Sequence, residues 1–214
     1  MSSDVAVRTE VGASRSPRRR GRVLRGIGKT FLTAAVILAA YIVWLLWGTG
    51  IYYGAQQDSL REDFGRRVDS AATAPSAPAA PALPGQAYAL LQIPDLELDE
   101  VVVQGADAVV LRNGPGHYDE TADPWDDAGR VGIAGHRTTY GAPFWDLELL
   151  EPGDDIRMVT ERGTFDYVVR QTRVVLPSAG EVLDPTRRPT LVLTTCHPRF
   201  SAAERLIVVA DRVA

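Results

Sequence analysis

Three side chains of different chemistry stand at the ends of apolar, strand-like runs. His136 follows residues 131–135, Cys196 follows 190–195 (TLVLTT), and Arg205 precedes 206–211. Strand ends are where a rigid scaffold can present side chains to a ligand. Brought together, the three make an acyl-transfer site: a thiolate attacks a carbonyl, a cation stabilises the oxyanion, and an imidazolium protonates the departing amine. Cys196, Arg205 and His136 fill those roles in that order. A fixed cation beside the sulfur also favours the thiolate. This chemistry calls for no cofactor and no metal ion.

Each residue also has a plainer reading. A cysteine closing an apolar strand is, taken alone, a small core residue. Cys196 is the only cysteine of the chain, so no intrachain disulfide can form. Outside the cell an exposed thiol without a use is an oxidation liability, which favours a working role. His197 adjoins Cys196, but neighbours in a strand point to opposite faces, so a shared metal ion is not expected. Arg199 competes with Arg205, yet Pro198 places it in a turn. His117, in the turn-forming stretch 114–118 (GPGHY), suits a structural or pocket-wall position better than that of the general acid. The acidic stretch 119–127 lacks an ordered ligand spacing and reads as a solvated loop.

These residues need a scaffold and a location. Residues 1–30 carry eight Arg or Lys against Asp4 and Glu10, although the whole chain of 214 residues has a formal charge of -4. Lys29 is the only lysine, which reflects compositional bias before function, and no nucleic-acid partner is expected from this tail. Residues 31–47 (FLTAAVILAAYIVWLLW) contain no charge. Extended through residue 53 they supply the ~20 residues that cross ~30 Å of hydrocarbon as a helix. Basic residues before the run and Tyr41, Trp44, Trp47, Tyr52 and Tyr53 in its later part predict a cytoplasmic N-terminus and an external C-terminal domain. A cleaved signal peptide is the rival reading, but the apolar run is long for one and no small-x-small site follows it closely. Residues 54–72 are polar with some helical character, and 74–84 (APSAPAAPALP) is a Pro/Ala tract with too few large apolar side chains to fold. The expected organisation is a basic tail (1–30), a transmembrane anchor (31–53), a stalk (54–85) and a catalytic domain (86–214).

From residue 86 onward, short β-like runs alternate with Gly, Pro, Asp and Asn. Strands are predicted at 87–93, 100–103, 131–135, 155–160, 164–172, 173–176, 191–194 and 206–211, and helix only at 106–112 and 144–150. So few helices cannot cover both faces of a parallel sheet, which points to a small, mainly antiparallel barrel.

The motifs Thr194-Thr195-Cys196, Gly135-His136-Arg137 and Arg205, each at a strand end, resemble the sortase family in type and in the order His, Cys, Arg. The resemblance covers about residues 86–214 and includes the GPGHY stretch. Residues 135–144 (GHRTTYGAPF) and 196–208 (CHPRFSAAERLIV) are most similar to class E. It implies a closed eight-stranded β-barrel with short helices. It further implies cleavage of a C-terminal sorting signal between Thr and Gly, with the acyl group held on Cys196 and released by an amine of a lipid-linked cell-wall precursor. Class E implies a Leu-Ala-x-Thr-Gly signal in place of Leu-Pro-x-Thr-Gly and a recognition tyrosine after the histidine, here Tyr140. Tyr140 reads equally as a turn residue before Gly141. Thr195 could add a hydroxyl or a backbone N–H to the oxyanion site, and His117 could line the substrate site. The expected partners are secreted proteins bearing sorting signals, the cell-wall precursor and the bilayer. Calcium, used by some class A members, is not implied. An L,D-transpeptidase is a weaker match, since there the cysteine follows the histidine closely. A barrel that only binds peptide is the non-enzymatic alternative.

Overall fold

The computed structural model describes residues 17–44, 48–73 and 81–213. The chain divides after residue 44 into two compact units. The first holds helix α1 (Pro17–Val43), in which the stretch Arg25–Val43 is long and apolar enough to cross a membrane. Its apolar side chains, among them Phe31, Leu32, Val36 and Ile37, are exposed.

The second unit contains helix α2 (Thr49–Thr73) and eight strands: β1 (Ala87–Ile93), β2 (Leu98–Gln104), β3 (Gly116–His117), β4 (Arg130–Ala134), β5 (Asp155–Thr160), β6 (Gly163–Val175), β7 (Thr190–His197) and β8 (Glu204–Arg212). They close a barrel in the order β1-β2-β3-β4-β7-β8-β6-β5. Two pairs, β2 with β3 and β4 with β7, are parallel, and the others are antiparallel.

Side-chain alternation explains the core. Leu91, Ile133, Met158, Tyr167, Leu191 and Leu193 point inward and are fully buried. β7 reads as a continuous apolar run because its outer face is covered too: Val192 packs with Ile207, Val209 and Val182 of the turn Gly180–Leu183. A strand buried on both faces and paired on both edges, with β4 and β8, gives its C-terminal end a fixed position.

Several expectations change. Residues 164–176 form one strand, β6, whose register shift between Val169 and Gln171 absorbs the break. The predicted helices shrink to single 3-10 turns at Val110–Arg112 and Leu147–Leu149. β3 is too short to leave an alternating pattern. Residues 52 and 53, expected to end the apolar span, belong to α2 instead: Tyr53 is buried against the barrel and the Tyr52 hydroxyl reaches the Asn113 side chain at 3.2 Å. The polar stretch after it is not a spacer. α2 lays Leu60 and Phe64 on Val101 and Val103 of β2, and such burial is worth about 2 kcal/mol per large side chain. The Gln57 side chain donates to Val101 O (3.0 Å) and Asn113 O (2.9 Å) and accepts from Val101 N (2.7 Å). Most of the Pro/Ala tract, residues 74–80, lies outside the described residues.

Candidate functional site

The parallel ladder between β4 and β7 pairs Arg130 with Thr190 and ends with Ala134 opposite Thr194. Beyond it, Gly135 N donates to Thr194 O (3.0 Å) and the Thr195 hydroxyl donates to Gly135 O (2.7 Å). Parallel pairing keeps the next residues, His136 and Cys196, side by side as the strands end together. On the other side of β7, antiparallel pairing sets Cys196 opposite Arg205. The topology thus places Cys196 on one rim of the barrel, flanked by His136 on one side and Arg205 on the other. The order of these residues along the chain does not reveal this; the strand order does.

The immediate surroundings fit chemistry. Cys196 is a free, half-buried thiol. The Nε2 of His136 is buried with no hydrogen-bond partner among the described residues, an uncommon state for a buried nitrogen and one suited to a ligand or a proton in transit. Burial, and secondarily the nearby Arg112 guanidinium, pull its pKa below the ordinary histidine value. Arg205 donates to the carbonyls of Ala202 (3.1 Å) and Glu204 (3.0 Å) and has no carboxylate partner among the described residues, so its charge is not neutralised.

Arg137 received no role from its residue type, yet it is buried at the centre of the rim. It donates to Cys196 O (3.2 Å) and His197 Nδ1 (2.9 Å) and pairs with Glu148. Its place beside His136 in the Gly-His-Arg motif was the available signal. Arg199, the rival of Arg205, is occupied: it pairs with Glu148 (2.6 Å) and Asp146 (3.0 Å) and lies 4.6 Å over the Trp145 ring. Gly135 is required because a side chain there would collide with the fully buried Phe144 ring.

Residues 136–144 form a loop closed by Phe144 N donating to His136 O (3.1 Å). Tyr140, Gly141 and Ala142 all take positive φ (50°, 72° and 48°), a run that costs backbone energy at its two non-glycine members. The Tyr140 ring lies 5.1 Å from that of His136, and the Arg112 guanidinium lies 5.9 Å over Tyr140. An apolar hollow of about 550 Å³ opens beside it, lined by Ile51, Ala142, Trp145 and Phe200 among others.

Thr195 and His117 each make contacts of their own. The Thr195 hydroxyl has its single hydrogen engaged by Gly135 O, so it ties β7 to β4 and has none to offer an oxyanion. His117 is buried in β3, stacked on Tyr88 at 4.3 Å and bonded to Ala122 O (3.1 Å), Thr121 Oγ1 (3.1 Å) and Gln104 Oε1 (3.3 Å). It lines a separate hollow of about 190 Å³ with Tyr88, Asp123 and Trp125. Its neighbour Tyr118 faces the β7 side instead, with its hydroxyl 3.1 Å from Thr194 Oγ1. No group of three His, Cys, Asp or Glu suited to a metal ion occurs among the described residues.

Cys196 thus ends β7 opposite Arg205 of β8 and beside the strand end of β4 that leads to His136, on one rim of a closed eight-stranded barrel. Comparison with known proteins gives the family. The Sortase domain profile matches residues 91–213, and the chain belongs to the sortase family. Sortase SrtE1 of Streptomyces coelicolor is 34% identical over 203 residues, covering 86% of this chain and 55% of that protein. Sortase D of Bacillus subtilis is 34% identical over 134 residues, with 60% of this chain and 65% of the relative covered. The chain thus spans 55% and 65% of the length of these two relatives. Among solved structures, a Clostridium perfringens sortase D5 transpeptidase matches with a TM-score of 0.65 at 25% identity, covering 75% of this chain and 99% of that one. Sortase E1 of S. coelicolor, solved with a tripeptide in its active site, matches with a TM-score of 0.58 at 37% identity, covering 63% and 92%. Within the family the chain is most like class E.

Proposed function

We propose that the chain is a membrane-anchored transpeptidase that cleaves a C-terminal sorting signal between Thr and Gly and joins the freed acyl group to an amine of a cell-wall precursor. The observation that carries this reading is that Cys196 ends β7 opposite Arg205 and beside the strand end that leads to His136. In the first half-reaction the Cys196 thiolate attacks the threonine carbonyl and Arg205 stabilises the oxyanion. The C–N bond breaks, His136 gives its proton to the departing glycine amine, and a thioester remains on Cys196. In the second, a neutral amine attacks the thioester, a C–N bond forms, the C–S bond breaks, and His136 receives the amine proton while the thiolate is regenerated. Arg137, bonded to Cys196 O and the His197 ring, acts as a positioning residue. The S. coelicolor relative, solved with a tripeptide in its active site, supports a peptide as the substrate of this site.

Finer assignments follow from the same resemblance. The class E likeness points to a Leu-Ala-x-Thr-Gly signal, with Tyr140 reading the residue that distinguishes it from Leu-Pro-x-Thr-Gly. The apolar stretch Arg25–Val43 anchors the chain with its basic N-terminus in the cytoplasm and the catalytic unit outside. The test is cleavage of both peptides by the detergent-solubilised full chain. Leu-Ala-x-Thr-Gly should be preferred, and Cys196→Ala should abolish cleavage of either peptide. Retained cleavage in Cys196→Ala would sink the mechanism, and equal rates on the two peptides would sink the class E specificity.

A further inference from the structure

Among the described residues, Arg112 is a cation near His136 that the proposed mechanism does not use. It ends the 3-10 turn Val110–Arg112, and its guanidinium lies 5.9 Å over the Tyr140 ring, which itself lies 5.1 Å from the His136 ring. Among the described residues it pairs with no carboxylate. The other arginine of this rim that lies over an aromatic ring, Arg199, is satisfied by Glu148 and Asp146. The turn bearing Arg112 is held firmly. Asn113, the next residue, accepts on its carbonyl from Gln57 Nε2 (2.9 Å) and on its side chain from the Tyr52 hydroxyl (3.2 Å), and its own N–H donates to Val110 O (3.0 Å). A guanidinium on an aromatic face, anchored by its backbone and lacking an anion, matches the planar fork that recognises carboxylates.

We propose that Arg112 and Tyr140 form a carboxylate-binding subsite on the His136 side of Cys196, which seats a carboxylate lying next to the amine that leaves or enters during acyl transfer. The proposal rests on the transpeptidase reading and adds the chemistry of the group the site selects. His136 handles the proton of the leaving and of the entering amine, so a charge one residue away from it can sort amines by what they carry. Binding of a carboxylate would also neutralise the cation that disfavours the His136 imidazolium, coupling occupancy of the subsite to the protonation of the acid.

Either amine can supply the carboxylate, and the two sources are separable. Transfer from one sorting peptide is measured with glycine and with glycinamide as acceptors, for the full chain and for Arg112→Gln. Intrinsic amine reactivity cancels when the glycine-to-glycinamide ratio is compared between the two enzymes. Loss of a charge-assisted bond should lower that ratio about tenfold. In the second arm, sorting peptides that end at the glycine after the scissile bond, as the free acid and as the amide, are compared in the same way. A drop confined to this arm assigns the carboxylate to the leaving fragment. Ratios unchanged in both arms, with the peptides cleaved, overturn this proposal alone. Absence of cleavage by the unaltered chain overturns the transpeptidase reading and the proposal with it.

Discussion

At the scale of single residues, His136 carries the most specific consequence. Its buried, unpartnered Nε2 and the Arg112 cation both favour the neutral ring, so the imidazolium that must protonate the leaving amine forms only below the ordinary histidine pKa. Because the folded-state pKa is depressed, His136 makes a destabilising contribution that grows as pH falls through the unfolded value and is complete below the folded one. Activity depends on the same equilibrium. Arg112→Gln removes the cation but not the burial, so the acid limb of the bell-shaped kcat/KM profile for peptide cleavage should move to higher pH, and the maximum should rise. A limb that stays in place or moves to lower pH would show that Arg112 does not act on His136. Much of this site was legible. His136, Cys196 and Arg205 differ in chemistry and sit at apolar strand ends, where side chains are presented. Arg137 and Arg112 were not legible, because an arginine's role depends on what it faces. Arg137 faces Glu148 and Cys196 O inside the protein, and nothing in its type or spacing announces burial.

At the scale of elements, α2 does more than cover one wall of the barrel. Its Tyr53 ring packs against Gly141, where an added side chain would collide with it, and Gly141 sits at φ 72° in the loop that carries Tyr140. Gln57 and Tyr52 hold the Asn113 end of the other segment beside His136. We therefore expect Tyr53→Ala to raise the peptide KM with a smaller change in kcat, while also costing about 3 kcal/mol of stability from the lost ring. Tyr53→Phe keeps the ring against Gly141 and loses only the interaction of the hydroxyl with Glu100, so it should leave KM close to that of the unaltered chain. Leu60→Ala is the control: Leu60 lies on the same helix away from the loop and should lower Tm without moving KM. Equal effects on KM from Tyr53→Ala and Leu60→Ala would reduce α2 to a stabilising element. The strands were read well because period-2 alternation and Gly/Pro punctuation are local signals. α2 was harder, since its buried stripe Tyr53, Gln57, Leu60, Phe64 has helical spacing but contains a glutamine and lies among Asp, Glu and Arg. Only β2, far off in sequence, shows why the glutamine belongs there: it pairs with the Val101 backbone as a strand would.

For the whole molecule, the position of the Pro/Ala tract decides what sets the reach of the catalytic unit. By composition the tract is a spacer between membrane and enzyme. In the structure α2 precedes it and β1 follows it, and both pack in the same unit, so its length does not separate that unit from α1. The tract connects α2 to β1 within one unit, and the entropy cost of closing such a connection grows slowly with its length. Doubling residues 74–80 by repeating them should cost about 0.6 kcal/mol and leave both peptide cleavage and surface processing in cells close to the unaltered chain. An insertion of the same length between residues 45 and 47 should also leave cleavage of a soluble peptide alone but alter processing of membrane-held substrates, because it lengthens the connection to the proposed membrane anchor. Cells expressing the two variants, scored for anchored reporter protein, separate these cases. If the doubled tract impairs processing while the lengthened tether does not, the tract is the spacer and the catalytic unit begins after it.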